Sequence, residues 1–127
     1  MELLITAAVL VVLAAISTVL YSGQVQDARR ANCVAVLNET RHSMERYFAK
    51  NFHYNDMVEG TDYPSKAPRD GNDIFCDITV QVLDSGQDYS ITATPQGAQS
   101  NDECGTLTLT RVGIYSNSTG LPNEDCF

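Results

Sequence analysis

The chain has 127 residues, enough for one domain with an appendage, and carries a formal net charge of −8. This charge is unevenly distributed: residues 1–50 hold five Lys or Arg and four acids, whereas residues 51–127 hold three and twelve. Because an acidic surface repels phosphates, the balance disfavours nonspecific binding of DNA or RNA.

The chain begins with an apolar segment that directly follows an acid. The nineteen residues from Leu3 to Tyr21 carry no charge, and as a helix they span about 29 Å, which matches the hydrocarbon core of a bilayer. A signal peptide would need a basic N-terminal region, which Met1 and Glu2 do not provide. A carboxylate at this position is costly unless it is paired, so Glu2 is a candidate functional residue.

The residues around the apolar segment give conflicting indications of its orientation. The positive-inside rule keeps Arg29 and Arg30 in the cytoplasm, whereas cysteines that form disulfides require an oxidising compartment on that same side. The two indications agree if a basic leader before Met1 has been removed, so that this sequence is the mature product.

The helix is predicted to continue beyond the apolar segment. Residues 24–59 contain neither glycine nor proline, and their apolar side chains recur every three or four positions. We expect one helix from about residue 2 to about residue 51, about 75 Å long. Residues 1–22 form its apolar half and residues 23–52 its amphipathic half. Gly23 is the predicted hinge between them, since glycine costs about 1 kcal/mol in a helix interior.

The remainder of the chain is predicted to be a loop followed by a sheet. Residues 53–73 are rich in Gly, Pro, Asp and Asn, which is typical of a connecting loop. Residues 74–127 contain strand patterns at 74–83, 89–95 and 105–115, separated by short turns, and end in a loop. The predicted fold is α+β, with the amphipathic half of the helix packed on a small antiparallel sheet.

Four cysteines in a small polar domain behind an apolar segment indicate two disulfides. Three pairings are available. We favour Cys104–Cys126, which closes a C-terminal loop, and Cys33–Cys76, which ties the helix to the sheet. The spacing does not fit a zinc site.

Other candidate residues have weaker support. His42 and His53 have no nucleophile or carboxylate patterned around them, and residues 69–77 lack the ligand spacing of a calcium loop. Asn38 and Asn117 each begin an N-glycosylation triplet. We find no catalytic constellation, phosphate loop or cofactor motif, so we predict neither an enzyme nor a cofactor.

Three stretches resemble one protein family. "ELLITAAVLVVLAAIS" is similar to the N-terminus of a mature type IV pilin, and "ARRANCVAVLNETRHSMERYFAKNFHY" to its continuation. "YSITATP", "CGTLTLTRVG" and the final "DC" with an aromatic residue resemble the pilin sheet and its C-terminal disulfide loop.

The resemblance implies a structural subunit, major or minor, of a bacterial type IV pilus. Such a chain waits in the inner membrane, is processed by a prepilin peptidase, and is added by the pilus machinery to an extracellular filament of identical subunits. Glu2 would then pair with the amino terminus, here Met1, of a neighbouring subunit. The family often has glycine and proline within the apolar helix, but residues 11–19 have neither, which leaves Gly23 as the alternative hinge.

Three alternatives remain at this stage. A minor pilin on the same fold would act as a DNA-uptake receptor or an adhesin, although the acidic C-terminal region disfavours DNA. A type II secretion pseudopilin would more often show calcium-loop chemistry. Nothing in the sequence supports a membrane-anchored enzyme.

Overall fold

A single long helix is the largest element of the molecule. The structure, a computed structural model, describes residues 2–127, without the side chains of residue 2 and residues 17–20. Helix α1 runs over Glu2–Asn51 and is about 75 Å long, as predicted. It continues through Gly23, where an added Cβ would meet nothing within 4 Å. A hinge at this glycine stays a prediction.

The C-terminal region is a five-stranded antiparallel sheet. Its strands are β1 (Lys66–Ala67), β2 (Cys76–Leu83), β3 (Asp88–Pro95), β4 (Leu107–Thr110) and β5 (Tyr115–Asn117). They lie in sequence order across the sheet, and a short helix, α2 (Asn123–Cys126), follows. This arrangement confirms the predicted α+β class.

The structure corrects three details of the prediction. Residues 105–115 are not one strand, because β4 ends at Thr110 and a turn follows in which Gly113 has a φ of 86°. The segment 53–73 is not wholly loop, since β1 lies within it and pairs with β2. The C-terminal tail contains α2. For the strands, short-range sequence pattern gives no information about the pairing partner, and α2 is too short, at four residues, to show a helical periodicity.

The hydrophobic core lies between the second half of α1 and one face of the sheet. The helix contributes Cys33, Val36, Leu37 and Met44, all at most 6% exposed. The sheet contributes alternate residues of its strands, which are Ile78, Tyr89, Ile91, Ala93, Leu107 and Leu109. The strands repeat their side-chain direction every two residues and the helix every 3.6, so each presents one apolar face. These two faces pack together to form the core.

Two disulfides fasten this core. Cys33–Cys76 joins α1 to β2 with a Cα separation of 6.0 Å. Cys104–Cys126 joins the loop before β4 to α2 with a Cα separation of 5.8 Å. They are the two pairs that the sequence favours.

Candidate functional site

The first half of α1 is an exposed apolar surface, which we call the apolar stem and define as residues 3–16. All of its side chains are exposed; Leu3 is 85% and Val11 69% exposed. By length and composition the helix is able to cross a membrane. A helix that is apolar all round needs lipid or other helices around it, so the stem is a surface for burial outside this chain.

The role predicted for Glu2, the acid at the start of the stem, stays an expectation. Met1 lies outside the described residues, and for Glu2 only the backbone is described, as the first residue of α1. The pairing of Glu2 with a neighbouring amino terminus therefore stays a prediction.

Arg30 is the centre of a buried ion network at the base of the domain. Its side chain is 8% exposed, and its Nε donates to both carboxylate oxygens of Asp102, at 3.0 and 3.1 Å. Its Nη1 donates to Asp27 at 3.2 Å and to the Asp125 carbonyl at 3.1 Å, while Nη2 lies 3.5 Å from Glu103. The arginine thus fastens α1 to the loop before β4 and to α2.

Sequence reasoning missed this network. It treated Arg30 as a charge flanking the membrane, whereas the structure buries it against a carboxylate 72 positions away. The sequence does carry a signal for this burial, because Arg30 stands three residues before Cys33 and so lies next to it on the same face of the helix.

Beside this network lies a first groove, which we call the acidic groove. Its lining includes the acidic residues Asp27, Glu103 and Asp125 and the apolar residues Val34, Leu121 and Phe127. The Asp27 and Glu103 side chains are 67% and 70% exposed. Because Arg30 is buried and already surrounded by carboxylates, the accessible charge of this groove is negative.

Two adjoining cavities lie where the other end of α1 meets the loops on either side of β1, and we call them together the cationic groove after their basic side chains. Four basic side chains line it, which are Arg46 and Lys50 of α1, Lys66 of β1 and Arg69 of the loop that follows β1. The carboxylates lining it are Glu39, Asp62 and Asp70. Half of the chain's eight Lys and Arg residues therefore gather here, on an otherwise acidic domain.

Within the cationic groove, some of these groups already contact each other. Arg69 Nη1 lies 2.6 Å from Glu39 Oε1, Lys66 Nζ donates to the Gly71 carbonyl at 2.8 Å, and Asp62 accepts from the Val58 amide at 2.8 Å. Arg46 donates to the Ser43 hydroxyl. The groove is thus ordered by its own contacts, and its four basic side chains are nearly balanced by its three carboxylates.

Two buried tyrosines share one carboxylate on α1. The hydroxyls of Tyr89 and Tyr54 donate to Glu45 Oε1, at 2.8 and 3.4 Å. Burial, followed by the contact with Glu45, raises the pKa of Tyr89 well above its ordinary value. Burial and the charge of Glu45 also raise the pKa of Tyr54. These contacts fasten the sheet to the helix.

Of the other residues singled out in the sequence, the two asparagines form hydrogen bonds within the domain and His42 is exposed. Asn38 donates to the Val34 carbonyl and accepts from the Tyr115 hydroxyl. Asn117 accepts from two backbone amides of the following turn. His42 is exposed on α1. Within the part of the chain that the structure describes, no three His, Cys, Asp or Glu side chains are grouped to hold a metal ion.

Solved structures of pilins share this fold. A type IV pilin from Shewanella oneidensis matches with a TM-score of 0.56 at 22% identity, over 80% of this chain and 97% of that one. The non-core minor pilin PilV of Neisseria meningitidis matches with a TM-score of 0.60 at 15% identity, over 78% and 92%. At these identities the likeness concerns the fold. No curated protein sequence matches the chain.

A protein-family model supplies the more specific comparison. Residues 20–108 match the family described as type IV minor pilin ComP, DNA uptake sequence receptor. The match includes the second half of α1 and strands β1 to β3, which together carry most of the core, the cationic groove and one disulfide. Since it spans more than half of the chain, this protein belongs to the ComP family of type IV minor pilins.

Proposed function

We propose that this chain is a structural subunit of a bacterial type IV pilus and that its apolar stem packs in the core of the filament. The observation that carries the proposal is the contrast within α1, whose second half is covered by the sheet while its first half is exposed. Burying each large apolar side chain contributes about 1.5–3 kcal/mol, so the stem supplies a large driving force for association.

The proposal builds on the family. Type IV pilins are anchored in a membrane by the apolar helix before assembly, lie outside the cell afterwards, and assemble with other pilin subunits. They are structural or receptor proteins rather than enzymes. For this chain we propose identical subunits as neighbours, and processing by a prepilin peptidase before the pilus machinery adds it to the filament.

Glu2 is proposed to set the register between neighbouring stems. Apolar burial is non-directional and does not by itself fix how far one helix slides past the next. A carboxylate in a water-poor core tolerates only positions where a cation meets it. An amino terminus of the adjacent subunit would supply that cation, so other registers are disfavoured.

Replacing Glu2 by alanine tests this assembly role. Full-length Glu2→Ala should yield few or no filaments by electron microscopy while the subunit level in the membrane stays unchanged. Glu59→Ala, the same change at an exposed loop position, is the control and should assemble normally. Normal filament yield from Glu2→Ala would contradict the role.

A second candidate function is binding of DNA, and the family match favours it. The cationic groove is where phosphates would bind, because Arg46, Lys50, Lys66 and Arg69 gather there. The acidity of the rest of the domain acts against this candidate, since it lowers the electrostatic attraction for a polyanion.

Salt dependence of DNA retention tests the second candidate. If the full chain in detergent micelles binds duplex DNA through the groove, log affinity should fall linearly with log salt. The Lys66→Ala variant should bind more weakly and show a shallower slope. Arg111→Ala is the control, since Arg111 lies outside the groove and pairs with Asp88. Equal retention by both variants would exclude the groove as the DNA site.

A further inference from the structure

The two edges of the sheet differ in how their backbone groups are paired. The outermost strands are β5 on one side and β1 on the other. At the β5 edge, the Asn123 side chain donates to the Tyr115 carbonyl at 2.8 Å, and the amides of Gly120 and Leu121 donate to Asn117 Oδ1. The segment after β5 therefore folds over that edge. At the other edge, β1 has two residues and β2 has eight, so β1 pairs with only the first part of β2.

The later part of β2 has backbone groups without a neighbouring strand. Successive strand residues direct their N–H and C=O groups to opposite sides. The Ile78 amide donates to the Ser65 carbonyl at 2.9 Å, on the side of β1, so Val80 and Val82 direct their backbone groups to the same side, beyond the end of β1. Among the described residues, these groups have no hydrogen-bond partner. We call residues 79–83 the open edge.

Burial and composition also distinguish the open edge from the covered part of β2. The inward-facing side chains of Cys76 and Ile78 are 2% and 0% exposed, whereas those of Val80 and Val82 are only half-buried. Residues 79–83 carry no charge, glycine or proline, and three of the five are β-branched. Native edge strands are usually protected by a lysine, a proline, a bulge or a covering element. The open edge lacks the first two, and its pairing with β3 is continuous, without a bulge.

The loop between α1 and β1 is attached at both ends of the open edge. The Tyr54 amide donates to the Gly86 carbonyl at 3.0 Å, in the turn after β2, and Ser65 bonds to β2 at the other end. Between these points the amides of Thr61 and Asp62 donate to the Val58 carbonyl, within the loop itself. The backbone groups of the open edge are therefore available to a further strand.

We infer that the open edge binds an extended segment of a partner polypeptide, which continues the sheet beyond β1. A row of N–H and C=O groups at strand spacing is matched by another extended backbone, and neither a nucleic acid nor a lipid surface supplies that alternation. The segment lies in line with β1 and is therefore antiparallel to β2. This binding site goes beyond both proposed functions and depends on neither.

The chemistry of the partner segment follows from the surroundings of the open edge. The segment is uncharged where it pairs, with apolar side chains at the alternate positions that lie beside Val80 and Val82. It carries Lys or Arg at its ends, because Asp84 directly follows the open edge and residues 51–127 hold twelve acids against three bases. The backbone supplies the affinity and the alternate side chains supply the specificity.

Amide hydrogen exchange tests the site on the full chain in detergent. Without a partner, the amides of Val80 and Val82 should exchange at least about tenfold faster than those of Thr79 and Gln81, which bond to β3. The probe is a short synthetic peptide of alternating valine and threonine with a lysine at each end. At about 1 mM it should slow exchange at Val80 and Val82 at least about tenfold.

Two outcomes of this measurement would overturn the inference. The first is a peptide that leaves exchange at Val80 and Val82 unchanged, whether or not it binds elsewhere. The second is protection of Val80 and Val82 in the chain alone that disappears on dilution, because the edge would then be occupied by a second copy of the chain.

Methylated peptides separate backbone pairing from apolar adhesion. In an antiparallel pair, the amides of the peptide valines face the open edge and those of its threonines face away. N-methylation of the valines should abolish protection of Val80 and Val82, whereas N-methylation of the threonines should preserve it. Equal protection by the two methylated peptides would contradict a strand pairing. This comparison does not alter the protein, so it decides the question even if a variant fails to fold.

Val80→Pro supplies the matching change in the protein. It removes an edge amide and no bond to β3, and prolines are tolerated at such edge positions. The fluorescently labelled peptide should bind this variant at least about tenfold more weakly by anisotropy. Val80→Ala keeps the amide and is the control, with an affinity within about twofold of wild type. Non-reducing gels and the urea midpoint establish that both variants fold. Equal affinities of folded Val80→Pro and Val80→Ala would overturn the inference.

Discussion

The two halves of α1 have the same backbone conformation and opposite surroundings. In the second half, Leu37 and Met44 are fully buried against the sheet. In the first half, Leu10 is 66% and Val12 58% exposed. Helix formation is therefore not what distinguishes the halves; the difference is whether the chain itself supplies a covering surface.

This comparison separates two kinds of stability. The second half contributes to the free energy of unfolding of one subunit, because its apolar stripe is buried within the chain. The first half contributes to membrane insertion and association, because its apolar surface is buried only by lipid or by other subunits. A substitution should act on one of these quantities and leave the other nearly unchanged.

The largest effect is expected from a charge in the stem. Val9→Lys should abolish filaments, because a lysine in an apolar core costs several kcal/mol without a partner. The urea midpoint of the domain, measured by circular dichroism on the full chain in detergent, should not change. Val9→Leu is the matched control, and normal filament yield from Val9→Lys would show that the stem is not buried in the filament core.

A cavity in the second half should have the opposite outcome. Leu37→Ala removes a fully buried side chain and should lower the free energy of unfolding by about 4 kcal/mol. The measurement is urea unfolding of the full chain in detergent. Leu10→Ala makes the same change on the same helix in the exposed stem and should leave this free energy unaltered. Equal losses in the two variants would refute the distinction.

Substituting Arg30 tests whether the ion network also contributes to the free energy of unfolding of one subunit. Arg30→Met leaves the nearly buried Asp102 without its cation and should cost about 3 kcal/mol in urea unfolding. Its neighbour Arg29 lies over the Phe75 ring, and Arg29→Met should cost less than about 1 kcal/mol. If the two substitutions cost the same, the network does not fasten the domain.

The smallest effect concerns Tyr89 and depends on pH. Tyr89→Phe loses the hydrogen bond to Glu45 and should cost about 1 kcal/mol at neutral pH. Because the pKa of Tyr89 is raised in the native state, the unfolded chain loses this proton first, and wild-type stability should fall as the pH rises above about 10.

Thermal unfolding between pH 8 and pH 11 measures this dependence. The Tyr89→Phe variant should show a weaker dependence, and part of the slope should remain because the pKa of Tyr54 is raised too. Tyr21→Phe, a change at an exposed position of α1, should follow the wild type. A slope that Tyr89→Phe leaves unchanged would assign the alkaline transition to other groups.

Local sequence pattern determined most of the fold. The absence of glycine and proline over residues 24–59, with apolar spacing of three and four, predicts the helix that the structure has. Alternation places Tyr89, Ile91 and Ala93 on the buried face of β3. Such periodicities are readable because a helix and a strand repeat their side-chain directions within a few residues.

Apart from the two disulfides, contacts between distant residues were not readable in this way. β1 is two residues long and is defined by its pairing with β2, and nothing in the segment 53–73 indicates that partner. The two grooves combine helix residues with loop residues far away in sequence, such as Asp27 with Asp125 and Arg46 with Arg69. For that reason, the sequence did not predict either groove.

The sequence by itself determined a long helix with an apolar start, an antiparallel sheet to cover its second half, and the apolar surface that the chain leaves exposed. Only the tertiary structure decided where the charges gather: it buried Arg30 in an ion network and lined two grooves with charged side chains from α1 and from the loops. The physical reason is that periodicity is a property of neighbouring residues, whereas a charged surface is the sum of residues that only folding brings together.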